Sequence, residues 1–170
     1  MTSRAQPDKL CGMTTTAAVE VGQQVPDLTL NDDHGTAVAL RALTGKRVVL
    51  YFYPKDDTPG CTTQACALRD SWSEFDALDD VVIYGVSPDG ETQHQKFRAK
   101  HDLPFNLLVD EEHRLAEALG FWVEKSMYGK KYWGIERSTI VVGADGLVSD
   151  VARKVKPGEH VAWLRGALGI

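Results

Sequence analysis

An α/β fold, a mixed β-sheet with helices on both faces, is what three features of this 170-residue chain predict. Apolar runs suited to strands alternate with stretches whose apolar residues recur at helical spacing. Two runs, Val48–Tyr53 and Val81–Val86, are apolar along their length, as strands covered on both faces are. Paired β-prone segments around turn clusters flank this alternation, at Asn31-Asp32-Asp33-His34-Gly35 and at Gly143-Ala144-Asp145-Gly146.

Taken in order, residues 1–17 are polar and aperiodic and read as a loose tail, leaving residues 18–170 as one domain. Met13 is a second candidate start, which would place Cys11 outside the native chain. A short strand over Val25–Leu30 turns back through Val38–Leu40, and a helical turn at Arg41–Leu43 stops at Gly45. After the strand Val48–Tyr53, the residues Ala65, Leu68, Trp72, Phe75 and Leu78 give one helix with one buried face. The strand Val81–Val86 leads to a helix over Asp89–His101, stopped by Leu103-Pro104. A third strand, Phe105–Val109, precedes a helix capped by Asp110, with Glu111 and Glu112 in its first turn and Gly120 at its end. Phe121–Gly134 is aromatic-rich and reads as irregular. Strands at Ser138–Val142 and Leu147–Arg153 and a helix opened by Pro157-Gly158 complete the chain. Right-handed crossovers put the sequential strands in parallel and the last hairpin antiparallel, which is a thioredoxin-like mixed sheet with an N-terminal β-hairpin extension.

Composition excludes several classes. The formal charge of −5 argues against a nucleic-acid or anionic-membrane partner, and Arg153-Lys154-Val155-Lys156 reads as a solvated face. No apolar run approaches the roughly 20 residues of a membrane span. Three cysteines are too few for a disulfide framework, and Met1–Asp8 lacks the apolar core of a secretion signal. A reducing cytoplasm is the expected compartment, and there a close cysteine pair points to catalysis rather than structure.

That pair lies in Pro54-Lys55-Asp56-Asp57-Thr58-Pro59-Gly60-Cys61-Thr62-Thr63-Gln64-Ala65-Cys66. Thr58 suits an N-cap and Pro59 the first helical position. Cys61 then sits in the first turn, where free N–H groups and the helix dipole favour a negative sulfur; helix-start thiols ionise about 1 to 5 units below the usual 8.5. Gly60 lets a small molecule approach the same N–H groups. Cys66 follows five residues on, which in an intact helix is about 8.6 Å between Cα atoms, beyond the roughly 7 Å that a disulfide spans. The two sulfurs can meet only if the first turns unwind, and Gly60, Thr62 and Thr63 are weak helix formers, each costing about 0.5–1 kcal/mol relative to Ala. The spacing is not the Cys-x-x-Cys of thioredoxins, and it does not complete a zinc site, which needs about four ligands. His94 and His101 flank Phe97 on one helix and do not read as metal ligands; Tyr51, Asp56 and Asp57 read as strand packing and loop solvation. A thiol peroxidase, a thiol–disulfide oxidoreductase and a redox-sensing binding protein all stay open on this evidence.

Pro54, Thr58 and Cys61 occupy every position of the Pro-x3-Thr/Ser-x2-Cys motif of peroxiredoxins. With Cys66, Arg69-Asp70, Gly85-Val86-Ser87-Pro88-Asp89, Leu103-Pro104-Phe105, Tyr128-Gly129-Lys130 and Arg137-Ser138-Thr139, the chain from about Val19 onward resembles the peroxiredoxin Q or bacterioferritin comigratory protein branch. The resemblance implies that Cys61 is the peroxidatic cysteine, that Thr58 hydrogen-bonds sulfur and peroxide, that Pro54 shields the pocket, and that Arg137 stabilises the thiolate and the polarised peroxide. It further implies a resolving role for Cys66 and an intramolecular Cys61–Cys66 disulfide. Hydrogen peroxide and organic hydroperoxides are the implied substrates, and thioredoxin or a glutaredoxin-like dithiol the implied reductant. The implied setting is antioxidant defence by a monomer, with no cofactor, metal, nucleic acid or membrane.

Overall fold

The computed structural model describes residues 18–170, so the expectations for the tail, Cys11 and Met13 lie outside the described residues. Fifteen elements follow one another as β1 (Thr29–Asn31), β2 (Ala37–Ala39), a 3-10 turn (Leu40–Leu43), β3 (Arg47–Phe52), α1 (Pro59–Asp70), α2 (Trp72–Asp76), β4 (Val81–Ser87), α3 (Glu91–His101), β5 (Asn106–Val109), α4 (Arg114–Leu119), β6 (Trp122–Met127), β7 (Lys130–Ile135), β8 (Ser138–Val142), β9 (Val148–Ala152) and α5 (His160–Leu168). The main sheet has the order β5-β4-β3-β8-β9. Its first three strands run parallel, whereas β8 and β9 pair antiparallel.

Strand β3 is central because its side chains have an apolar layer to enter on either face. Val48, Leu50 and Phe52 pack with the β1–β2 hairpin, α4 and Phe121. Val49, Tyr51 and the following Tyr53 pack with α1, α2, α3 and α5. Each fully buried side chain of this kind contributes about 1.5–3 kcal/mol relative to exposure, so the two layers fix the strand from both sides. At Gly85, the β4 partner of Tyr51, a Cβ would come within 2.8 Å of Leu107 and 2.9 Å of the Tyr51 hydroxyl. Only glycine leaves room here for both Leu107 and the end of the Tyr51 ring.

Three expectations need correction. The helix expected to run through Leu78 breaks at Ser71, whose dihedrals (φ −100°, ψ 10°) leave the helical region; Phe75 on α2 still enters the same core as Leu68. Asp110 does cap α4, its carboxylate accepting the Leu115 and Ala116 N–H groups at 3.2 and 3.0 Å. It acts from a turn further back, however: His113 holds the N-cap position, and Glu111 and Glu112 precede the helix. The segment expected to be irregular, Phe121–Gly134, instead holds the β6–β7 hairpin, in register from Trp122↔Ile135 to Met127↔Lys130. Its two turn residues, Tyr128 (φ 51°) and Gly129 (φ 77°), both have the positive φ of a type I′ turn. Glycine takes this backbone freely, whereas a tyrosine there costs about 1–2 kcal/mol, which is why the turn is hard to see in the sequence.

Candidate active site

Antiparallel pairing assembles the site. Phe52, the last residue of β3, pairs with Ser138, the first of β8, so the chain leaving β3 toward Cys61 lies beside Arg137, which enters β8. Arg137 is further tied by its carbonyl, which accepts the Val155 N–H at 2.8 Å. Its guanidinium donates from Nη2 to Cys61 Sγ at 3.4 Å and from Nη1 to Gln64 Oε1 at 2.6 Å. Gly60 permits this approach, since a Cβ there would lie 3.1 Å from Arg137 Nη2.

Thr58 takes the N-cap position with extended backbone and Pro59 is the first helical residue, as the sequence predicts. The Thr58 hydroxyl does not cap the helix. It donates to Lys55 O at 2.8 Å, which leaves its oxygen lone pairs as acceptors. Cys61 is buried in the first turn of α1, at 2% exposure, while Cys66, on the same continuous helix, is half-buried; both are free thiols. Pro54 is half-buried at the start of the connecting loop.

Sequence reasoning missed several polar side chains around Cys61. Gln64 is fully buried one turn beyond Cys61 and is the acceptor that fixes Arg137; a glutamine three residues after the cysteine, on the same helix face, was its only signal. The buried Tyr51 hydroxyl is held well above its ordinary range by burial, reinforced by the negative charge of Asp56 and an anionic Cys61. His160, at the start of α5, contacts the Tyr51 ring at 5.3 Å and meets Thr139 Oγ1 through Nε2 at 2.9 Å. Burial, with the Arg137 cation adding to it, pushes the His160 imidazole down to about 3, so it is neutral at neutral pH.

Asp56 corrects the expectation of loop solvation. It is buried, accepts the Tyr53 hydroxyl at 2.5 Å and pairs with His94 Nδ1 at 2.6 Å, and its own N–H donates to Asp89 at 2.7 Å. His94 Nε2 meets Leu108 O at 2.8 Å. Although burial opposes it, the Asp56 carboxylate raises the His94 imidazole above its ordinary range. The loop that carries Pro54 and Thr58 is thereby anchored to α3 and to Asp89 in the connection before it. Asp57 pairs with Lys100 and His101 at the surface. Arg153 is likewise not merely solvated: it pairs with Glu136 at 2.7 Å and lies over the Phe121 ring. No group of metal-binding side chains occurs among the described residues.

The arrangement offers an enclosed sulfur facing a fixed cation at a helix N-terminus, which is the electrostatic setting for a nucleophilic thiolate. The AhpC/TSA family matches residues 21–151. Peroxiredoxin Bcp of Bacillus subtilis (strain 168) is 56% identical over 144 residues, covering 85% of this chain and 91% of that protein. Peroxiredoxin Bcp of Escherichia coli (strain K12) is 40% identical over 151 residues, covering 86% and 96%. Among solved structures, bacterioferritin comigratory protein of Xanthomonas campestris, described by its alkyl peroxide reduction activity, superposes with a TM-score of 0.81 at 39% identity, over 88% of this chain and 98% of that one. A PrxQ mutant of Xylella fastidiosa gives 0.83 at 30% identity, over 90% and 97%. With this fold and these relatives, the chain belongs to the AhpC/TSA family and is a thiol peroxidase of its Bcp peroxiredoxin group.

Proposed function

We propose that Cys61 is the peroxidatic cysteine and Cys66 its resolving partner within residues 18–170 acting as one domain. The observation that carries this is the Arg137 Nη2–Cys61 Sγ contact of 3.4 Å in the first turn of the helix that also holds Cys66. The Cys61 thiolate attacks one peroxide oxygen; the O–O bond breaks, a sulfenic acid forms, and the departing oxygen leaves as water or an alcohol after taking up a proton. Arg137, positioned by Gln64, donates to sulfur and to the oxygen on which charge develops. Thr58, whose own proton is committed to Lys55 O, accepts from the peroxide O–H. Gly60 and the helix N–H groups line the approach, and Pro54 limits water. Cys66 sulfur then attacks the sulfenic sulfur, expelling water and forming the Cys61–Cys66 disulfide, which a dithiol reduces to two thiols.

Hydrogen peroxide and small organic hydroperoxides are the substrates in this reading; the alkyl peroxide reduction attributed to the X. campestris relative supports including the latter. Thioredoxin or a glutaredoxin-like dithiol is the reductant. Because both cysteines belong to one helix, the cycle needs no second subunit, and we read the protein as a cytoplasmic monomer. Turnover with hydrogen peroxide and a thioredoxin system tests the assignment. Cys61→Ser is expected to be inactive, and Cys66→Ser to consume one equivalent and stop as a sulfenic acid. Sustained thioredoxin-dependent turnover by Cys66→Ser would refute the resolving role.

A further inference from the structure

The β6–β7 hairpin has two chemically different faces. Alternation along the strands and the register Val123↔Gly134, Lys125↔Tyr132 and Met127↔Lys130 place those six residues on one face. Trp122, Glu124, Ser126, Lys131, Trp133 and Ile135 form the other. That second face is balanced in charge and covered only at its base: Ile135 is buried and Trp122 stacks on His113 at 3.8 Å, while Lys131 pairs with Glu124 at 3.5 Å and Trp133 is 53% exposed.

The first face is half-buried at its base, at Val123, Lys125 and Gly134, and open toward its tip, and its charge is not balanced. It carries Lys125 and Lys130 and no carboxylate, and neither lysine forms an ion pair among the described residues. Of its apolar groups, Met127 and Tyr132 are open to solvent at 55% and 42% exposure, and Tyr128 at the tip is 98% exposed. It is also continuous with the active site. A Cβ at Gly134 would meet Lys125 Cδ at 3.4 Å and the Tyr132 ring at 3.5 Å, so both side chains lie along β7 toward Glu136 and Arg137. Lys125 is held below the usual lysine range by burial, with the Arg137 cation adding to it, which agrees with that direction.

From this we infer that the Lys125–Met127–Lys130–Tyr132 face is the docking surface for the protein reductant, a small dithiol protein whose cysteine is surrounded by apolar and acidic residues. This rests on the reading of the Cys61–Cys66 disulfide, which such a partner must reach. A chain of net charge −5 repels acidic proteins in general. A local face of two unpaired lysines beside the site reverses that locally and steers an acidic partner to the disulfide. Exposed methionine and tyrosine supply adaptable apolar contact once it arrives.

The test compares Lys130→Glu with Lys131→Glu, the same charge reversal on opposite faces of one hairpin, in steady-state assays. A bacterial thioredoxin with its NADPH-dependent reductase serves as one reductant and dithiothreitol as the other. Lys130→Glu is expected to raise the KM for thioredoxin by about fivefold, a rim-charge effect, and to leave the dithiothreitol-driven rate unchanged. Lys131→Glu is expected to change neither, and the wild-type KM should rise with salt more steeply than that of Lys130→Glu. An unchanged KM in Lys130→Glu, or equal rises in both variants, overturns the docking surface. So does a Lys130→Glu change in sedimentation without a change in KM, which would make this face a contact between copies of the chain. If wild type fails to turn over even with dithiothreitol, the disulfide reading itself fails and the docking proposal with it.

Discussion

In the proposed reading, Cys61 owes its reactivity to Arg137, far from it in sequence, and to Gln64 one turn along the same helix. Arg137 supplies the cation, and Gln64 holds it by a charge-assisted hydrogen bond of 2.6 Å. His160, packed on Tyr51 behind Cys61, stays neutral and adds no second positive charge to the layer. Its depressed value has a consequence for stability. The unfolded chain protonates His160 near pH 6.5 while the folded chain resists until about pH 3, so this contribution is complete above about 6.5 and is lost as the pH falls toward 3. A His160→Gln variant removes that loss. Urea unfolding of the two proteins between pH 7 and 4 should show the variant gaining on wild type by up to about 1.4 kcal/mol per pH unit below 6.5. Parallel stability curves would mean that His160 already titrates in the folded protein. Neither Gln64 nor His160 was legible as a site residue in the sequence, because a lone buried polar side chain has no periodic pattern. Cys61 and Thr58 stood out as candidates through local helix-start chemistry, whereas Pro54 and Arg137 entered only through the family motif.

At the level of elements, the proposed Cys61–Cys66 disulfide sets two conditions on α1. Its first turn has to be helical to present N–H groups and Arg137 to Cys61, yet Cys61 and Cys66 sit about five residues of helix apart, too far to bond without unwinding. The loop before it does not share that looseness, since Asp56 ties it to Tyr53, His94 and Asp89. Unwinding is therefore expected after Thr58. Thr63 is exposed and returns its hydroxyl to Pro59 O at 2.9 Å, an arrangement that weakens a helix slightly. Thr63→Ala should stabilise the helical form by about 0.5 kcal/mol and slow disulfide formation about twofold, with the peroxide reaction unchanged. Stopped-flow fluorescence of Trp72, just beyond α1, can follow both phases; an unaltered second phase would show that unwinding does not limit resolution. Gly60 is the wrong position for this experiment, because a Cβ there crowds Arg137. The strands and most helices could be read from periodicity, whereas the β6–β7 hairpin could not. Its turn is Tyr-Gly rather than Asn-Gly, and its unpaired face carries lysines where an alternating pattern would show an apolar side.

For the molecule as a whole, the mixed sheet is what makes a site from distant residues. Parallel pairing of β3 with β4 sets the loop that Asp56 anchors, and antiparallel pairing of β3 with β8 delivers Arg137. Both cores meet at β3, so the strand that leads into α1 is held on both faces, while the proposed disulfide requires the helix it leads into to open. The fold class followed from strand and helix alternation, since topology depends on many weak signals that agree. The central claim is that one equivalent of peroxide joins Cys61 to Cys66 within one chain. Intact-mass measurement after that single equivalent, followed by peptide mapping, tests it directly. A monomer lighter by two hydrogen atoms is expected, with the new bond between Cys61 and Cys66. A bond to Cys11, a bond between chains, or a persistent sulfenic acid in the wild-type protein would contradict it.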